Sequence, residues 1–229
     1  MKRLSQVLLL WIVICFSVVA EESNNVILEQ CDELTFDNTA KSSRAYQVLR
    51  GNVRFRHGDA LMWCDSAYFY EGENSFDAFG HVRVVQKQSS MLADSLFYDG
   101  KTTLMQVRGS VVLNSDQLTL HTNFLDYYRG KNYGYYFGGG KVTETQNTLT
   151  SRRGFYYPDM ESYLFLDSVV LTHPEYKIES DSLRYLSKSG WAYLYGPSNI
   201  YGKDYTVYTT NGWKDTKNDK GRLYDYSVV

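Results

Sequence analysis

Apolar and polar residues alternate along most of the chain after residue 28. In Gly80-His81-Val82-Arg83-Val84 the apolar side chains fall on every second position. Gly109-Ser110-Val111-Val112-Leu113 and Asp167-Ser168-Val169-Val170-Leu171 repeat the shape, and Gly51-Asn52-Val53-Arg54-Phe55 is an earlier copy. A period of two predicts strands with one buried face. A second element alternates with these. It reads Cys64-Asp65-Ser66-Ala67-Tyr68-Phe69-Tyr70, then Ala93-Asp94-Ser95-Leu96-Phe97-Tyr98-Asp99, then Ser180-Asp181-Ser182-Leu183-Arg184-Tyr185-Leu186.

These heptads recur at a fixed interval. Starts at Cys64, Ala93, Thr122, Ser151, Ser180 and Thr209 are each 29 residues apart, and an earlier copy at Cys31 needs four extra residues. Turn residues such as Gly72-Glu73-Asn74, Gly130-Lys131-Asn132 and Pro158-Asp159 separate the two halves of a unit. Each unit is therefore read as a strand, a turn and a longer strand bent at the Gly. A period of this length signals stacked units that cannot bury their apolar faces alone.

The aligned columns predict what faces inward. The sixth heptad position holds Phe36, Phe69, Tyr98, Tyr127, Tyr156 and Tyr185, and the fourth holds Leu34, Ala67, Leu96, Leu125, Gly154 and Leu183. In the second half, one column is Phe55, Val84, Leu113, Val142, Leu171 and Ile200; two residues earlier it is Val53, Val82, Val111, Gly140, Val169 and Ser198. Arg54, Arg83, Lys141 and Asn199 occupy the opposite, solvent-facing column. The expectation is an all-β, solenoid-like stack of about seven two-strand repeats, roughly 34 Å long at about 4.8 Å per rung. Asp32, Asp65, Asp94 and Asp181 form a ladder, read as a corner element of the repeat rather than a metal stripe.

The N-terminus has separate grammar. Lys2 and Arg3 precede an apolar run from Val7 to Val19, and Val18-Val19-Ala20 offers a small-residue cleavage site before Glu21. This is the anatomy of a secretory signal peptide; an uncleaved anchor is the alternative, with a short run for a span of roughly 20 residues. The expected organisation is a signal peptide at 1–20, a lead-in at 21–28, and one repeat domain at 29–229 whose last repeat is incomplete. Ser227-Val228-Val229 read as the start of another inward-facing strand with no cap, which predicts head-to-tail pairing or a longer parent chain.

Composition then narrows the chemistry. The net charge is −2, and about −4 without Lys2 and Arg3, which does not suit a nucleic-acid binder. His57, His81, His121 and His173 show no metal-ligand spacing, and no nucleophile elbow or phosphate loop is present. No catalytic residue, metal or cofactor is expected. Gly138-Gly139-Gly140 reads as a bend. Cys31 and Cys64 share a column in consecutive copies, so their Cα atoms are expected about 5 Å apart, bonded or adjacent; two free thiols are the alternative.

The recurring "ADSLFYD", turn, "GxVxL" pattern, with Gly51-Asn52-Val53 and Ala93-Asp94-Ser95-Leu96, resembles the OstA-like (LptA-like) family of periplasmic lipopolysaccharide-transport proteins, over about Glu29 to the C-terminus. The tyrosine-rich copies look most similar to its Bacteroides-lineage members. The resemblance implies an open, twisted β-jellyroll in the periplasm, with an outer-membrane association as an option. Its apolar groove would receive the acyl chains of lipopolysaccharide and abut other jellyroll components or copies of itself. Carried over by column, the groove lining is Val82, Val84, Leu96, Tyr98, Val111, Leu113, Leu125, Tyr127, Val169 and Leu171. A filled core would use the same residues. A structural or adhesive exported solenoid is the alternative function, and a polysaccharide-active enzyme on a β-helix scaffold ranks third.

Overall fold

The computed structural model describes residues 25–36, 45–115 and 118–228. The signal peptide, the expected new N-terminus at Glu21 and the first half of the lead-in lie outside the described residues. Sixteen strands form a single antiparallel sheet among the described residues. They are β1 (Ile27–Gln30), β2 (Glu33–Phe36), β3 (Gln47–His57), β4 (Ala60–Tyr70), β5 (Ser75–Gln86), β6 (Ser89–Asp99), β7 (Leu104–Ser115) and β8 (Leu118–Tyr128), followed by β9 (Tyr133–Thr143), β10 (Thr148–Ser151), β11 (Arg153–Tyr157), β12 (Ser162–Thr172), β13 (Lys177–Leu186), β14 (Trp191–Tyr201), β15 (Thr206–Asp215) and β16 (Lys220–Val228). The helical content described is three single 3-10 turns at Glu71–Glu73, Arg129–Lys131 and Pro158–Met160.

Each strand pairs with the next in sequence. β10 and β11 share one place between β9 and β12, and β1 and β2 both pair with β3. The path is thus fourteen strand places long. Thirteen spacings of about 4.8 Å give a contour of roughly 62 Å. The expected length of about 34 Å fails because a repeat adds two neighbouring strands to the sheet, not one.

The sheet is folded on itself. Phe55 pairs with Met62 and Phe76 with Phe69, so along β4 they are seven residues apart. On a flat sheet that separation is about 23 Å. Their rings instead stack at 4.1 Å between centroids. The fold line lies where the register shifts, at Arg50/Val53, Phe79/Val82, Arg108/Val111 and their equivalents. There the backbone is left-handed at Gly51, Gly80, Gly109, Gly138, Asp167, Gly196 and Asp225. These positions are 29 residues apart, so the sequence period is the period of the bulges. Two residues on one strand oppose one on the next, which bends the strand. The product is an open β-jellyroll with the core between its two halves.

The aspartate ladder sits on this fold line. A β-carbon on Gly51, Gly80 or Gly109 would lie 2.3 Å from Oδ2 of Asp32, Asp65 or Asp94 respectively. Asp65 Oδ2 also meets His81 Nδ1 at 2.7 Å, and Asp32 Oδ2 accepts from Asn52 Nδ2 at 2.8 Å. Where Asp167 replaces the glycine, Arg152 replaces the ladder aspartate and Arg153 pairs with Asp167 at 2.5 Å. The role is structural, as the recurrence implies.

The columns hold along most of the sheet and fail at its first strands and at one place in its middle. Leu34 and Phe36 are exposed, Phe36 at 67%, because β2 pairs only with β3 among the described residues. Gly140 and Gly154 break the apolar columns because the buried Tyr136 ring occupies their space, within 2.4 and 2.6 Å of where their β-carbons would be. Ser227 and Val228 do not start a new strand. They are the far half of β16, past the bend at Asp225.

Candidate functional site

The two halves of the folded sheet meet along an open edge formed by rows of hairpin tips. Three tyrosines of the sixth heptad column reach across it. Tyr98 OH lies 2.7 Å from His57 Nδ1, Tyr156 OH lies 2.5 Å from Ser115 Oγ, and Tyr185 OH donates to Glu144 Oε2. In each case the partner is 41 residues earlier. Burial holds the Tyr98 and Tyr185 phenols above their ordinary range, so both keep their proton at neutral pH. These contacts clasp the jellyroll shut at intervals.

Tyr127 does not follow its column. Its hydroxyl, pushed up to about 12 by burial, donates to Asn132 Oδ1 in the adjacent turn, at 2.7 Å. Arg129 crosses the edge in its place. Its guanidinium donates to Tyr98 OH and Asp59 Oδ1 at 3.1 Å and to Gln86 Oε1 at 3.3 Å. Beside this altered clasp, and around the Tyr156–Ser115 contact, a cleft of about 900 Å³ opens. That is the size of a site for a drug-sized ligand, roughly 300–1,000 Å³.

The cleft has two chemistries. Val84, Met91, Met105, Leu113, Leu118 and Tyr163 supply its apolar floor. Its lips carry Lys87 and Gln88 on one side, and Asp159, Glu161, Lys188 and Lys217 on the other. An apolar interior with a charged mouth suits an amphiphile: the tail leaves water and the head group does not.

Of the ten residues expected to line a groove, Val84, Leu113 and Tyr127 line this cleft. Val82, Leu96, Tyr98, Val111, Leu125, Val169 and Leu171 face inward in the buried core, to which Val84 and Leu113, each 4% exposed, also belong, with Tyr127 packed against it. The lip lysines and Arg129 were not legible as site residues, because they sit in segments that read as simple turns. No cluster of three metal-ligating side chains occurs among the described residues.

Cys31 and Cys64 are free thiols. The expected contact between them fails for a topological reason. Val53 of β3 pairs with Cys64, and Cys31 follows β1 on the other side of β3. An intervening strand puts the two about 9.6 Å apart, outside disulfide range. Cys64 is 6% exposed, and burial pushes its thiol up to about 12.

A profile of the family described as OstA-like protein matches residues 23–181, more than half of the chain. The chain belongs to the OstA-like family. Among curated proteins none matches it. Among solved structures it is similar to LptH of Pseudomonas aeruginosa, described as the LptA-homologous periplasmic component of a lipopolysaccharide transport device. The TM-score is 0.40 at 14% identity, covering 43% of this chain and 76% of that one. The OstA-like match includes the cleft floor and the Lys87 lip; Ser187, Lys188 and Lys217 of the facing lip lie beyond it. No helix among the described residues is long and apolar enough to cross a membrane.

Proposed function

We propose that this OstA-like protein is an exported, non-enzymatic carrier of lipopolysaccharide. In this reading acyl chains enter the cleft over Val84, Leu113 and Tyr127, and the lipid passes toward the outer membrane. The observation that carries it is the apolar floor opening through a polar mouth in the edge of a folded sheet. Family membership and the residue pattern behind the resemblance support it. A signal peptide at 1–20 would deliver a single jellyroll domain, expected from residue 29 but with its first strand starting at Ile27, to the periplasm. β16 pairs only with β15 among the described residues and leaves Tyr224 and Tyr226 exposed. An edge of this kind can add a strand from a second jellyroll or a second copy.

The second reading is a structural or adhesive sheet without lipid transfer. The dense packing of Leu96, Val111, Leu125 and Leu171, each nearly inaccessible, favours it, because the core beside the cleft is filled. Binding of purified lipopolysaccharide separates the two. Leu113→Asp is expected to weaken capture at least tenfold, because burying a carboxylate costs several kcal/mol. Arg83→Ala, on the solvent face, is expected to leave it unchanged. Equal binding by both variants, with folding confirmed by circular dichroism, would refute the carrier reading.

A further inference from the structure

The outer face of the folded sheet has two unlike halves. On one side of the fold line, the paired outward row from β9 to β15 reads Lys141, Thr150, Val170, Glu179, Asn199 and Tyr208. That is an ordinary solvated face. On the other side, the paired row from β11 to β16 reads Phe155, Leu164, Arg184, Tyr193, Trp213 and Arg222. Leu183, Tyr185, Ala192 and Leu194, which alternate with it, are buried in the core, so this row points outward.

Rings continue on either side of the row. Trp191 stacks on Trp213, with centroids 4.7 Å apart and planes 5° from parallel. Tyr135 lies 4.8 Å from Phe155 and leads through Phe137 to the exposed Phe124. Tyr195 and Tyr224 occupy the next row, 44% and 39% exposed. From β7 to β16 this half of the sheet has eight strand spacings. At about 4.8 Å each, by five residues of about 3.4 Å, the face covers on the order of 650 Å², near the roughly 800 Å² each partner buries in a standard interface.

The residue types favour a protein as the occupant. Trp, Tyr and Arg dominate binding at protein interfaces, and lysine is depleted there. The row has two arginines and no lysine. A bilayer fits less well, because surface binding sinks apolar side chains about 5–10 Å into the lipid, and a flat sheet of rings packed on one another offers no such projection. Charge then sets what the partner presents. Arg108 and Arg153 have carboxylate partners in Asp126 and Asp167. Arg184 donates only to neutral groups, Ser162 Oγ at 3.0 Å and Met160 Sδ at 3.8 Å, and the Arg222 guanidinium lies 5.3 Å from the Tyr224 ring centroid. Neither has a carboxylate partner among the described residues. They bracket Tyr193 and Trp213, three strand spacings or about 14 Å apart.

We propose that this face, centred on Arg184, Tyr193, Trp213 and Arg222, docks a protein partner that lays apolar side chains on the rings and sets carboxylates against the two arginines. All four lie beyond residue 181, where the OstA-like match ends, and none lines the cleft, so the contact does not depend on whether the cleft takes lipid. It uses the face of the sheet, not the edge of β16.

The test is photocrosslinking in the native cells from the full chain, with a photoreactive residue at Tyr193 and, as the control, at Lys141 on the polar half. Mass spectrometry of the crosslinked peptide identifies the partner. One partner protein is expected at Tyr193 and none at Lys141, with apolar residues and Asp or Glu in the contact peptide. Arg184→Glu combined with Arg222→Glu, with folding confirmed by circular dichroism, should reduce the adduct at least tenfold. The purified partner should also bind the wild-type chain several-fold more weakly at about 0.5 M salt than at about 0.05 M, a readout that needs no variant. No protein adduct at Tyr193, an adduct to lipid or to a second copy of this chain, a contact peptide without carboxylates, or binding insensitive to salt or to the substitutions would overturn the proposal.

Discussion

Replacing Gly109 by Ala tests the fold line on which the cleft depends. Gly109 has φ +73°, where an L-residue costs about 1–2 kcal/mol. The added β-carbon would also lie 2.3 Å from Asp94 Oδ2 and 3.0 Å from Asp94 Cβ. Asp94 must leave its rotamer, which adds about 0.5–1.5 kcal/mol. The expected loss is therefore about 1.5–3.5 kcal/mol. In an Asp94→Ala background the closest contact vanishes and the backbone term remains. The double-mutant cycle should then show a coupling of about 0.5–1.5 kcal/mol, above the few tenths seen for independent sites. Gly80→Ala meets Asp65 in the same geometry and should cost at least as much, since Asp65 also holds His81. Gly72→Ala, with no atom within 4 Å and no left-handed backbone, should change stability by no more than about 0.5 kcal/mol. Urea denaturation with two probes supplies the numbers. A Gly109→Ala protein as stable as Gly72→Ala, or one with no coupling to Asp94, would refute the reasoning.

Tyr185→Phe removes the clasp to Glu144 and Asn147 and should cost about 1.5–3 kcal/mol as a lost bond to a charged group, against under about 1 kcal/mol for Tyr127→Phe, whose partner Asn132 lies in a surface turn; equal losses in denaturation would contradict the clasp. A thiol reagent should modify Cys31 in the native protein and spare Cys64 until denaturant is added, as mass spectrometry of the labelled chain would show; simultaneous labelling would contradict the burial of Cys64. His81 should titrate above the ordinary histidine value, because Asp65 accepts from its ring, and Asp65→Asn should lower the midpoint in an NMR titration. The sign follows from linkage: the raised value means that the pair favours the folded state below the ordinary histidine pKa, and that this contribution is lost as pH rises through the raised one.

The period of 29 residues was readable because a bulge needs the same residue types each time. The Gly-x-Val and Asp-Ser elements are the two sides of one corner. The inward columns were readable for the same reason, since a strand exposes every second residue to one face. What the period does not contain is the number of strands each repeat places side by side. That omission shortened the expected sheet and brought Cys31 next to Cys64, where β3 in fact intervenes. The cleft was unreadable because its lips come from hairpin tips far apart in sequence, juxtaposed only by the fold at the glycines. Within the columns, Tyr127 carried no mark that its hydroxyl would turn to Asn132 instead of across the edge. Lys87 offered one signal, a lysine where the preceding repeat has Gly58.

Site-specific photocrosslinking in cells tests whether lipid enters the cleft. A photoreactive residue at Leu113 or Tyr127 lines the cleft, and one at Arg83 lies on the solvent face. Lipopolysaccharide adducts are expected at Leu113 and Tyr127 and none at Arg83. Adducts of equal strength at all three positions, or none at the two cleft positions in a folded protein, would contradict lipid entry.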